Sequence, residues 1–215
     1  MPTTDFGIVR NAPAALTLGA ASPATLDASG ALVTIDFYAK AILDGRGFQV
    51  RAGTITTPLT GDILITDTFA EMCADATAGL VMIPIFMQVD IEALGGTLPQ
   101  VAAKSVATVS SAGTAFVPLL LKSDGSAASS TARVQAAGAV TVTGELATTT
   151  PRHFSWSQPI AAGAWPTWYD WQPLYAPTLV GPRCFYVQVA ADTTGPSYFA
   201  NIDYLELPTL LVTPS

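Results

Sequence analysis

Apolar and polar residues alternate with period two over several stretches, the mark of a strand with one buried face. From Leu32 to Ile42, Val33, Ile35, Phe37, Ala39 and Ala41 point one way and Thr34, Asp36, Tyr38 and Lys40 the other. Phe48 to Thr56 repeats the pattern, with Phe48, Val50 and Ala52 set against Gln49 and Arg51. Asp44-Gly45-Arg46-Gly47 lies between the two runs and predicts a hairpin turn. The strongest run is Val81 to Ile91, where Val81, Ile83, Ile85, Met87, Val89 and Ile91 alternate with Met82, Pro84, Phe86, Gln88 and Asp90. The second set begins apolar and ends polar, which predicts burial on both faces at one end. Pro84 removes a ladder donor and predicts an edge position or a bulge.

Further strands are predicted at Ile63 to Ile65, Lys104 to Ser110, Ala115 to Leu121, Ala132 to Ala136, Ala139 to Leu146, Cys184 to Ala191 and Tyr198 to Leu207. Gly-, Ser-, Asp- and Pro-rich turns separate most of them. Phe69 to Ala78 is ambiguous, because Thr68 to Met72 also fits one helical turn. Residues 1–30 have no clean period and are interrupted by Pro2, Pro13 and Pro23, which reads as an extended arm. The prediction is therefore all-β: an antiparallel β-sandwich or jelly roll over residues 31–215, one domain, with an extended N-terminal arm over residues 1–30.

Composition changes this picture in one respect. Of 215 residues, 50% are hydrophobic and only 12% charged, about half the charged share of an ordinary domain. The longest apolar stretch, Leu80 to Val89, is too short for a membrane helix. The N-terminus lacks the basic region and apolar run of a secretory signal. A surface poor in charge then points to burial against other subunits. The formal charge of −7 comes with scattered Lys and Arg, which argues against direct nucleic-acid binding. Cys73 and Cys184 read as buried thiols of a protein made in the cytoplasm; their spacing does not decide pairing.

Candidate chemistry concentrates in one segment. Trp156, Trp165, Trp168 and Trp171, with Tyr169 and Tyr175, fall within residues 154–175, where Pro159, Pro166 and Pro173 break regular structure. Aromatic rings offer large apolar area at small entropic cost. Three readings follow: a loop over one end of the sandwich, a surface buried against a neighbouring subunit, or a glycan platform with Asp170 accepting from hydroxyls. His153 is the single histidine and stands beside no nucleophile motif. One histidine and two distant cysteines make no recognisable zinc pattern. The carboxylates Asp62 and Asp67, and Asp90 and Glu92, are near in sequence, which does not fix a glycosidase separation. No catalytic residue, metal site or cofactor is expected.

The Ala/Pro-rich arm and the alternating strands 33-VTIDFYAKA-41 and 81-VMIPIFMQV-89 resemble virion jelly-roll proteins, particularly the capsid decoration and minor capsid proteins of tailed phages. The resemblance implies a non-enzymatic subunit made in the host cytoplasm and located in the virion. Such a subunit self-associates, often as a trimer, and stabilises a shell by contact with the major capsid protein or other virion subunits. A second stretch, 184-CFYVQVAADTTGPSYFANIDYLEL-207, is similar to the closing hairpin of carbohydrate-binding jelly-roll modules, with Ile202-Asp203 matching their terminal strand. That likeness implies a glycan as the alternative partner.

Overall fold

A computed structural model describes residues 36–63, 65, 69–122, 127–136, 138–145, 150–157 and 168–209. The expected arm and Trp165 lie outside these residues. The chain divides into two compact units, Met1–Lys40 and Ala41–Ser215. Of the first, the described part is residues 36–40, the opening of helix α1 (Phe37–Leu43).

Sixteen strands follow among the described residues: β1 (Gly47–Ala52), β2 (Leu59–Thr60), β3 (Phe69–Ala70), β4 (Met72–Ala76), β5 (Leu80–Ala93), β6 (Gln100–Val106), β7 (Ser111–Ala112), β8 (Thr114–Phe116), β9 (Leu119–Leu120), β10 (Thr131–Val134), β11 (Val140–Thr141), β12 (Arg152–Ser157), β13 (Trp168–Trp171), β14 (Leu179–Val180), β15 (Arg183–Ala190) and β16 (Ser197–Pro208). The protein is an all-β sandwich. A seven-stranded sheet runs β13-β5-β16-β1-β9, with β14 also on β5 and β2 on β16. A six-stranded sheet runs β12-β6-β15-β4-β10-β8. The strand pairs within both are antiparallel.

The two sheets bury one core between them. Phe48, Val50, Met87, Val89, Ile91, Tyr198, Ile202 and Tyr204 enter from the larger sheet; Met72, Val101, Phe185, Val187 and Val189 enter from the smaller. Each outer face has its own cover. Ala41 and Ile42 of α1 pack with Val81, Ile83, Leu205 and Leu207 over one half of the larger sheet. A three-stranded sheet, β3-β11-β7, brings Ala70, Val140 and Val142 onto Cys73, Val106, Cys184 and Tyr186 of the smaller sheet.

Four expectations are corrected. Residues 37–43 are helical, so the hairpin around Gly45 does not form. The Asp36 carboxylate caps the helix, accepting from the backbone N–H of Tyr38 at 2.9 Å and Ala39 at 3.2 Å. Ala39, Lys40, Ala41 and Leu43 are good helix formers, and Gly45, at φ 73°, ends the helix with its N–H on the Ile42 carbonyl.

The Val81 to Ile91 set also does not share one face. Between Asp203↔Phe86 and Tyr204↔Pro84 the register against β16 shifts and leaves Ile85 as an extra residue. A one-residue bulge reverses side-chain parity. Val81 and Ile83 therefore face α1, whereas Met87, Val89 and Ile91 enter the central core. Residues 81–84 are buried throughout, as their apolar pattern predicted. Pro84 sits at this bulge, between the stretches of β5 paired by β13 and by β14.

Finally, the short strand expected at Ile63 to Ile65 is absent at Ile63 and Ile65, the described residues of that stretch. The Trp-rich segment, expected to be irregular, instead supplies two edge strands, β12 and β13.

Candidate functional site

β12 and β13 end the two sheets on the same side of the sandwich, and alternation divides their aromatics. Trp156, Tyr169 and Trp171 turn inward and close the gap between the sheets. The Trp156 and Tyr169 rings lie 4.1 Å apart, and Trp171 stacks on Phe185 at 5.6 Å. Burial pushes the Tyr169 hydroxyl up to about 12. Trp168 points the other way and is 60% exposed, while Leu174 and Tyr175, beyond the end of β13, are 86% and 88% exposed. Of the six aromatics singled out by the sequence, Tyr169 is core, Trp156 and Trp171 are half-buried against it, two are surface, and Trp165 lies outside the described residues.

Trp168 belongs to the open half of the larger sheet's outer face. Cross-strand register places it beside Asp90, with Phe199 on the far side of Asp90. The next row runs Asp170, Gln88, Asn201 and Arg51 across four strands. Gln49, Phe86 and Asp203 form a third. All of these side chains are exposed or half-buried. Several are held by one another. Gln49 Nε2 donates to Asp203 Oδ1 at 2.7 Å, Arg51 Nε to Gln49 Oε1 at 2.5 Å, and Gln88 Nε2 to Asp90 Oδ1 at 3.3 Å. Partial burial raises the Asp90 pKa; the Gln88 hydrogen bond lowers it, and the nearby Asp170 charge adds to the rise. Sequence reasoning found Trp168 and Asp170 but missed Gln88, Asn201 and Arg51, because the face is assembled from strands distant in the chain.

The smaller sheet's outer face is chemically different. Cys73, Asp75 and Cys184 meet there fully buried, with their ligand-type atoms within 4.8 Å of one another. Local sequence pattern does not reveal this meeting; it follows from β4 pairing with β15, which sets Cys184 opposite Asp75 and Tyr186 opposite Cys73. Both thiols are free. Cys73 donates to Ser110 Oγ at 3.0 Å, and Ser110 donates its hydroxyl to Asp75 Oδ2 at 2.6 Å and its N–H to Oδ1 at 2.9 Å. Burial, with Cys73 and Asp75 alongside, raises the Cys184 thiol well above its ordinary value. Ser110 thus bridges Cys73 and Asp75, and these hydrogen bonds satisfy polar groups within the buried cluster. Beside it, Lys104 and Glu145 form an ion pair with both side chains 4% exposed, and the Tyr186 hydroxyl donates to the same Glu145.

His153 meets Ser105, with Nε2 2.9 Å from Oγ. A serine–histidine contact invites a nucleophile reading. Ser105, however, is 1% exposed, and the imidazole is wedged against Trp171 and Phe185. Burial lowers the His153 pKa and favours the neutral ring. The pair acts as a polar tie at the bulge where β12 joins β6. Comparison of the chain with family models, with curated proteins and with solved structures gives no match.

Proposed function

We propose that this chain is a non-enzymatic structural subunit of a virion, a capsid-associated protein with a jelly-roll fold that self-associates and stabilises a shell. The strand order supports the jelly-roll part. Eight strands give β1-β16-β5-β13 in one sheet and β4-β15-β6-β12 in the other, with the first and last strands adjacent. Successive members alternate between the sheets except from β6 to β12. That order is two Greek keys folded together, the wiring used by many capsid and lectin domains.

One observation carries the subunit part: the apolar margin along the β13 and β14 edge. Leu174 and Tyr175, between β13 and β14, stand almost fully exposed, and Val180 on β14 is 42% exposed. Large apolar groups left in water at an open sheet edge mark a contact surface. The low charge of the whole chain fits the same reading. The occupant is a second copy of the chain, and the action is passive: burial of this margin adds apolar contact between subunits. Light scattering of the purified protein tests it. A native mass of two or more chains is expected; a monomer at all concentrations up to millimolar would refute self-association through this edge.

A further inference from the structure

We infer that the open half of the larger sheet's outer face is a binding site for neutral glycans, centred on Trp168. This site is distinct from the Leu174–Tyr175 margin and does not depend on the subunit reading. Recognition of a pyranose requires two things at once: a flat apolar surface for its C–H face and in-plane hydrogen-bonding groups for its hydroxyls. Trp168 supplies the first, with its indole 60% exposed on a regular strand. Asp90, Asp170, Gln88, Asn201 and Asp203 supply the second, and together offer carboxylate acceptors and amide donors.

The layout suits an extended ligand. Neighbouring strands lie about 4.8 Å apart, so the row Asp170, Gln88, Asn201, Arg51 runs about 14 Å over the sheet. Two sugar rings fit side by side along it. The polar groups are also oriented in advance. Asp203 Oδ1 is held by Gln49 at 2.7 Å and by Asn201 at 3.4 Å, and Asp90 Oδ1 by Gln88 at 3.3 Å. Asp170 makes no protein hydrogen bond among the described residues, so its carboxylate is available to a ligand. Side chains fixed on strands lose little freedom on binding.

Charge selects the class. Asp90, Asp170 and Asp203 face outward against one cation, Arg51. That excess of negative charge repels sialylated and sulfated sugars and favours neutral ones.

The test is native affinity electrophoresis of the full chain in gels containing soluble neutral glucan, mannan, galactan or xylan, with heparin as the anionic control. Retardation by at least one neutral polysaccharide is expected, and none by heparin. Trp168→Ala is expected to weaken binding at least tenfold and Asp170→Asn several-fold, both with unchanged unfolding midpoints. A Leu174→Asp variant is expected to bind as wild type, which separates the glycan site from the subunit margin. No retardation by any neutral polysaccharide would overturn the inference. So would full binding by Trp168→Ala, or a Trp168→Ala variant whose only effect is to dissociate the assembly.

Discussion

The two outer faces of the sandwich teach different lessons. On the six-stranded sheet, β3, β11 and β7 pack over a face that buries two thiols and Asp75, with the buried Lys104–Glu145 ion pair on the same sheet. On the seven-stranded sheet, α1 covers only the apolar half, where Val81, Ile83, Leu205 and Leu207 lie. The remaining half keeps Trp168 and a field of amides and carboxylates in contact with solvent. Potential chemistry is enclosed on one side, and potential recognition is displayed on the other. The first face therefore governs stability, and the second is free to serve a ligand.

Breaking the covered face should cost the most. Lys104→Met leaves the Glu145 carboxylate buried without its cation, and a loss of about 3–5 kcal/mol is expected from urea unfolding. Arg51→Met on the open face should stay within about 0.5 kcal/mol of wild type. Equal effects at the two positions would erase the contrast.

A pH effect should come next. Burial pushes the Glu71 carboxyl up to about 8 from 4.5, although it accepts the Val189 N–H at 2.7 Å. The native state then holds a proton that the unfolded chain releases. This contribution is complete below about pH 4.5 and is lost as pH rises to about 8. Unfolding midpoints measured from pH 5 to 8 should fall on account of this group, and Glu71→Gln should flatten that slope.

Ser110→Ala removes a partner from both Cys73 and Asp75, and should cost about 1–3 kcal/mol in the same urea assay. The smallest signal is chemical rather than energetic. Neither thiol should react with Ellman's reagent in the native protein, since both are buried and the Cys184 thiol resists ionisation. Both should react once urea unfolds the chain.

Much of the sandwich was legible in the sequence. Alternation located β1 and β5, and the strands expected at Cys184 to Ala191 and Tyr198 to Leu207 are β15 and β16. Alternation failed where a second physical effect intervened. Asp36 capped a helix whose residues also alternate. A single extra residue at Ile85 exchanged the faces of β5 midway. The prolines of the Trp-rich segment suggested irregular structure, yet Arg152–Ser157 and Trp168–Trp171 form ladders; Pro159 and Pro166 fall between them and Pro173 follows.

The candidate site was legible only in part. Trp168 and Asp170 lie two residues apart in sequence and were visible. Their neighbours Gln88, Asn201 and Arg51 belong to three other strands, and only the register brings them together. The meeting of Cys73 with Cys184 is likewise a product of strand order, which local pattern does not encode.

The central claim, that an apolar sheet margin joins copies of this chain into an assembly, is tested most directly by sedimentation velocity. Wild type should be compared with the Leu174→Asp/Tyr175→Asp double variant. The account predicts an oligomer for wild type and a folded monomer for the variant, because both residues stand in solvent in the single chain. A wild-type monomer, or a variant that keeps the wild-type oligomer, would contradict it.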